Sequence, residues 1–495
     1  MVRLHALQGL PGWGLSGYES LLAEKDPFIR CTAISGLVES ESTKFFNSIR
    51  KSNAVAERLG ALQVLQRTTQ QGRDGRPGKR AHWVLVELYL TSVPDFLADP
   101  DPEVRRAAIQ WVAEERLEGF ARLLPAAASR EPVTKDLFEA WLAANDLLSG
   151  KKRFATDEPS GEDFIAKILQ DDKQPVTFRT LAMRMLRPDH PALDANRLSN
   201  FLASKEAGLR REAVRTLVLR PDAKSQELLT RLATDENADR GQRAAAVAGL
   251  SHSAASSRVT QRLLFSMLEK PELRRDALRS LRPVSPGSDT ERRILDWWDK
   301  LKADGDEKTE LAEQVALALK PVKNPDDAKE LDAIANIAAE KPKDEAAWRK
   351  ALDGKGDPAA GERLFFHARG PRCFACHRVD GRGAAIGPDL STIGRSLSRD
   401  KLIESILTPS KEIAPQFVSW IILTKDGKSR TGMIVEEKFD STIVIADAEG
   451  KLETIPRLDI EDRQAAKTSI MPDNLPALMT RQEFRDLLAY LVERK

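Results

Sequence analysis

Cys373, Cys376 and His377 stand together in "PRCFACHRVDGRGAAIGPDL", residues 371–390, and they take up two of the three cysteines in 495 residues. C-x-x-C-H is the spacing that attaches a haem covalently. Two thiols about one helical turn apart can add to the two vinyl groups on one porphyrin edge, and the adjacent histidine then offers a ring nitrogen to the iron as fifth ligand. Other chemistries for the same residues need partners that the chain lacks. A structural zinc site wants four ligands, normally from two such knuckles, and only His367 lies nearby. A thioredoxin-like pair wants a βαβ setting, whereas "RLFFHARG" reads as a short helix and "GRGAAIG" as a glycine-rich loop.

A sixth ligand should come from downstream, where Met433, Met471 and Met479 remain. Met433 sits in "RTGMIVEE", which alternates like a half-buried strand, and Met479 precedes the last helical pattern, so both are expected to pack. Met471 lies in "TSIMPDNL", a loop that its proline holds out of helix, and it is the expected distal ligand; His377 and Met471 are thus the expected iron ligands. Pro388, in "GPDL", can accept a hydrogen bond through its carbonyl from the far nitrogen of His377, fixing the ring and raising its basicity. Arg382 and Arg395 are the nearby cations that haem propionates could meet.

The surrounding patterns place these residues in a small helical domain. "AAGERLFF" and "FRDLLAYLVERK" read as short helices whose Phe365 and Tyr490 can meet and close it. Between the two ligands, "FVSWIILTKDGKSRTGMIVEE" reads strand, Asp-Gly turn, strand, and "STIVIADAEGKLETIP" repeats that pattern, predicting an antiparallel sheet at about 416–457. Together "GDPAAGERLFF", "CFACH", "GPDL", "SILTPSKEI", "TKDG", "SIMPDNL" and "LLAYL" resemble the haem-binding domain of the Planctomycetes–Verrucomicrobia type, a variant of class I cytochrome c. The resemblance spans residues 357–495. It implies one covalent haem c through Cys373 and Cys376, His377 as proximal and Met471 as distal ligand, and a sheet inserted between them.

Ahead of this lies a repeated pattern of an apolar residue, arginine, two residues, alanine, three residues and leucine. It occurs as "IRCTAISGL" at Ile29, "VRRAAIQWV" at Val104, "FRTLAMRML" at Phe178, "LRREAVRTL" at Leu209, "QRAAAVAGL" at Gln242 and "LRRDALRSL" at Leu273. "ERLGALQVL" at Glu57 fits with a polar first residue, and "VTKDLFEAW" at Val133 is a weaker copy. Arg179, Arg210, Arg243 and Arg274 recur at about 31 to 33 residues, a period of stacked helical hairpins. The small alanine admits a neighbouring helix and the leucine fills the same face. The pattern resembles HEAT-like repeats and predicts an α-solenoid over residues 1–285, then a charged helical connector over 286–356 and the cytochrome-like domain over 357–495. The expected fold is therefore mainly α, a helical repeat array followed by a class I cytochrome c-like domain with a small antiparallel insert. The scattered histidines His5, His82, His190 and His252 read as surface or packing residues, and Cys31 as a buried thiol.

Composition bounds the partners. The chain is 41% hydrophobic and 31% charged with a formal net charge of +2, so no global field favours nucleic acid or an anionic membrane. No run approaches the roughly 20 apolar residues of a spanning helix. The start, "MVRLHALQGLPGWG", does not read as a signal peptide, while covalent haem implies a periplasmic or other extracytoplasmic site. The resemblance also implies a sugar-dehydrogenase-type propeller upstream, so the chain is expected to be a fragment, a late-started frame or half of a split gene.

The function these readings predict is single-electron transfer with a redox partner protein, a dehydrogenase or another cytochrome, and the repeats serve as a docking arm. No catalytic residues are expected if both axial positions are filled. The alternatives are a repeat scaffold with a structural or sensory haem, and a peroxidase-type haem enzyme.

Overall fold

The computed structural model describes residues 18, 21–24, 26–40, 43–73, 91–150, 160–282, 288–319, 324–338, 342–438 and 441–494. His5, His82, the opening segment and the expected boundary at 285/286 lie outside them. The chain is mainly helical with one small antiparallel sheet near the C-terminus, and it divides into two compact units, residues 1–182 and 183–495.

Every copy of the repeated pattern lies on a helix. In the first unit these are Pro27–Ser40, Val55–Arg73, Pro102–Glu114 and Lys135–Ser149, each packed against the next, while Val176–Met185 carries the boundary between the units. In the second unit Ala207–Val218, Arg240–Gly249 and Arg274–Leu281 form a similar row, which Gly305–Ala318 continues. Each of the first three pairs with the helix before it: Ala195–Leu202, Ala223–Thr234 and Arg258–Leu268. Proline opens two copies, Pro27 and Pro102, where a missing N–H leaves no helical bond unmade.

The pattern has a physical basis. Its alanines Ala33, Ala61, Ala108, Ala182, Ala213, Ala246 and Ala277 are all fully buried, so a larger side chain there would separate neighbouring helices. Its arginines reach back to close the carbonyls of the preceding turn. Arg30, Arg58, Arg105 and Arg210 each donate to the carbonyl six residues earlier, and Arg179 and Arg243 to that ten residues earlier. Arg105 is the limiting case, with all five guanidinium N–H groups spent on the carbonyls of Asp99, Pro100, Ala127, Arg130 and Pro132 at 2.7–2.9 Å.

In the C-terminal part of the second unit, the helices Pro358–Phe365 and Arg481–Val492 cross closely. A Cβ at Gly361 would stand 2.0 Å from the Asp486 carbonyl oxygen, so only glycine permits the crossing. Phe365 and Tyr490 meet there with ring centroids 5.8 Å apart, as the sequence led us to expect. Arg399–Leu407 and the connector helix Glu345–Ala351 complete this core, Trp348 lying edge-on to Phe484 at 5.6 Å.

The sheet has strands β1 Ser419–Thr424, β2 Ser429–Glu437, β3 Thr442–Ala446, β4 Leu452–Pro456 and β5 Ile460–Ala465, in the order β4-β3-β2-β1-β5, all antiparallel. Gly427 and Gly450 take the left-handed conformation in the β1–β2 and β3–β4 turns. A fifth strand lies beyond the two hairpins that the sequence pattern marks; "IEDRQA" is almost wholly exposed and carries no alternation to reveal it. Ile422, Ile443, Ile445 and Ile455 form one apolar cluster of the sheet, while Met433 and Ala446 pack with Ile386 in another.

Candidate haem-attachment site

The attachment motif opens in a single 3-10 turn, Cys373–Ala375, which Cys376 ends, and the glycine-rich loop folds back to clamp it. Ala384 donates to the Phe374 carbonyl, Ile386 and Gly387 to that of Cys376, and Leu390 to that of Arg378, at 2.7–3.0 Å. The loop can close this far because Gly383 has φ +97° and a Cβ there would fall 2.2 Å from the His377 carbonyl oxygen. His377 Nδ1 donates to the Pro388 carbonyl at 2.9 Å, which fixes the tautomer and leaves Nε2 with no hydrogen bond among the described residues. A Cβ at Gly387 would lie 2.7 Å from Cε1 of the same ring, so glycine here is a condition of the ring's position.

The two thiols are free, and they belong to different apolar surroundings. Cys373 packs, half-buried, on the helical core together with Phe374, Leu390, Ile393, Leu397 and Met471. Cys376 packs on the sheet cluster of Ile386, Met433 and Ala446, to which Ile470 also belongs. The loop at 470–471 thus straddles the same two clusters as the two cysteines. Met471 is half-buried, its N–H held by Ser469 Oγ at 3.1 Å, whereas Met433 and Met479 are buried packing residues.

These residues fit a covalently held haem better than the rival chemistries. Burial pushes the Cys373 thiol up to about 12 and raises Cys376 as well, the opposite of the lowered thiol a redox pair requires. Burial also lowers the His377 imidazole, favouring the neutral ring that a metal needs, although the Pro388 carbonyl and Asp389 oppose the shift. Among the described residues no group of three or more His, Cys, Asp or Glu is placed to hold a metal by itself. His367, the other histidine near the motif, is fully buried with Nε2 3.2 Å from Ser280 Oγ and Nδ1 engaged by the backbone of Arg369.

Arg382 serves a different end from a propionate contact. It is buried and gives Nη2 to Glu212 Oε2 at 2.7 Å, while Arg184 and Arg215 share the other carboxylate oxygen at 2.9 and 2.8 Å. Burial would lift the Glu212 carboxyl, yet Arg382, Arg215 and Arg184 outweigh it and hold it at about 2. A second buried cluster joins Glu483 to Arg279 at 2.6 Å and to Arg282 at 2.8 Å, and Arg363 reaches Asp276 at 3.0 Å. The helices Ala207–Val218 and Arg274–Leu281 are therefore bonded through buried charge to the segment that carries the cysteines. Arg395 is exposed.

The acidic partners have a signal of their own in the sequence. Only two copies of the pattern place an acid directly before the alanine, "LRREA" at Glu212 and "LRRDA" at Asp276. Those two acids are the ones that meet Arg382 and Arg363.

Comparison with known proteins agrees with this geometry over part of the chain. Residues 358–420 match the protein family described as Cytochrome c, a stretch that contains the cysteines, His377 and Pro388 and ends before Met471. No curated protein matches the chain. Among solved structures, an engineered protein from the Northeast Structural Genomics Consortium aligns over 69% of this chain and 94% of its own, at 16% identity and a TM-score of 0.31. Human deoxyhypusine hydroxylase in complex with glycerol aligns over 57% and 97%, at 16% identity and a TM-score of 0.21. No described helix is long and apolar enough to cross a membrane. The chain carries a cytochrome c domain at residues 358–420, and with it a haem-binding, electron-transfer role.

Proposed function

We propose that the chain is a monohaem c-type electron carrier, with thioether bonds at Cys373 and Cys376 and the iron held between His377 Nε2 and Met471 Sδ. The observation that carries this reading is the His377–Pro388 hydrogen bond beside two free, half-buried thiols, within a segment that matches cytochrome c. Haem so ligated supplies one-electron chemistry at a potential that a thioether ligand raises. The chain's own contributions follow from its geometry. The Pro388 carbonyl keeps Nδ1 protonated and leaves Nε2 to hold a metal; Gly387 gives the ring its room; Leu390, Ile393 and Leu397, packed on the same core as Cys373, would help exclude water from a bound haem. A haem held by both His377 and Met471 would have no position left for a substrate, which suits a protein that passes electrons rather than one that transforms a substrate.

The repeats fit a docking arm for the redox partner, in the manner of HEAT-like arrays, and the whole fits the Planctomycetes–Verrucomicrobia type of haem-binding domain. A dehydrogenase of the sugar-oxidising class or another cytochrome suits the donor role, and covalent haem suits an extracytoplasmic site. Reduced-minus-oxidised spectra of protein made with haem-attachment machinery test the proposal. It predicts c-type bands with low-spin iron, and loss of the sulfur-to-iron charge-transfer band in Met471→Ala. High-spin iron in the unaltered protein would instead point to an open site and a peroxidase-type reading.

A further inference from the structure

A pocket of about 280 Å³ lies beside the attachment turn, lined by His252, Ala368, Arg369, Arg372 and Phe374. His252 comes from the end of the repeat helix Arg240–Gly249 and its following 3-10 turn, and the rest from the segment leading into the cysteines. The pocket is built rather than incidental. His252 Nε2 donates to the Val218 carbonyl at 3.0 Å, so Nδ1 of the neutral ring is an acceptor and turns donor only when the ring takes up a proton. Arg369 is oriented by Nε donating to the Ser251 carbonyl at 3.4 Å, and its backbone is pinned by the buried His367. Arg372 holds a left-handed φ of +49° immediately before Cys373.

Its electrostatics are one-sided. Most arginines of the second unit are paired, but neither Arg369 nor Arg372 has a carboxylate partner among the described residues. Both guanidiniums act on the His252 imidazole, whose pKa burial lowers first and these charges lower further against the Val218 carbonyl. Two forked cations that line one space are the groups that recognise an oxyanion, and an anion bound by them would favour protonation of the neighbouring imidazole.

We propose that this pocket binds an oxyanion, a phosphate-sized free anion or the carboxylate of a docked acidic side chain, on Arg369 and Arg372 and beside His252. The site stands whether or not haem is attached.

Histidine-selective ¹⁵N labelling tests this well, since the chain has only six histidines. Inorganic phosphate is titrated at fixed ionic strength into the haem-loaded chain and into a Cys373→Ala/Cys376→Ala form, with His252→Gln to assign the resonance. The expected result is a saturable His252 shift in both forms, weakened at least about tenfold by Arg369→Gln or Arg372→Gln, because each removes a charge-assisted bond. A triglutamate peptide forms the second arm: saturation at lower concentration than phosphate assigns the site to docked acidic side chains, and saturation by phosphate alone assigns it to a free ion. A His252 resonance unmoved by either probe, moved equally by chloride, or still saturable in the double arginine variant overturns the proposal. Unchanged melting temperatures of the variants separate lost binding from lost folding.

Discussion

Replacing Glu212 by Gln should cost the second unit about 3 kcal/mol at neutral pH. The carboxyl is 1% exposed and is held at about 2 against an ordinary 4.5, a difference worth about 3 kcal/mol at roughly 1.4 kcal/mol per pH unit. Removing one partner of a buried ion pair carries a similar cost of about 3–5 kcal/mol. Glutamine keeps the side-chain shape but leaves Arg382, Arg215 and Arg184 facing one another. The sign with pH follows from the direction of the shift. A depressed carboxylate stabilises fully above its unfolded pKa, near 4.5, and that stability disappears as pH falls towards 2. Urea unfolding followed by fluorescence and Soret absorbance should therefore show a gap between the two proteins that is constant from pH 7 to about 5 and closes below it. A gap under about 1 kcal/mol at pH 7, or one that persists unchanged at pH 3, would refute the reasoning. Arg382→Met in the Glu212→Gln background should recover part of the loss, since it removes one uncompensated guanidinium.

Gly387→Ala should displace the His377 ring, because the new Cβ would sit 2.7 Å from Cε1; haem incorporation per chain, read by pyridine haemochrome, should fall several-fold. Gly361→Ala should separate the crossing helices at the Asp486 carbonyl and destabilise the second unit by about 3 kcal/mol or more, measured by urea unfolding. Arg105→Met should leave five carbonyls without a buried donor and cost the first unit about 3 kcal/mol or more, with a lower melting temperature as the readout. A fragment beginning at residue 357 exposes the surfaces of Arg382 and Glu483 that the preceding helices cover, so it should be cut by protease far faster than the intact chain.

Much of this was legible because it follows from local rules. The alanine and leucine spacing marked the packed helix faces, and the Asp-Gly and Glu-Gly turns marked the hairpins. The proline carbonyl opposite His377 and the Phe365–Tyr490 contact follow from motif spacing and from the need to close a small core. What stayed hidden depends on tertiary neighbours. Residue type does not record that the guanidinium of a repeat arginine will find carbonyls six or ten positions back, nor that Cys31, expected as a buried thiol, is exposed on its helix beside Arg67. Arg382 looked available to a ligand because its partner, Glu212, is 170 residues away. β5 was invisible because a polar edge strand has no apolar face to set a period.

The most direct test of the central claim is mass spectrometry of the Cys373–His377 peptide from protein produced with a haem-attachment system. The account predicts one haem mass on that peptide, bound through both cysteines and lost in Cys373→Ala/Cys376→Ala. An unmodified peptide, or cofactor mass that survives the double substitution, would contradict it.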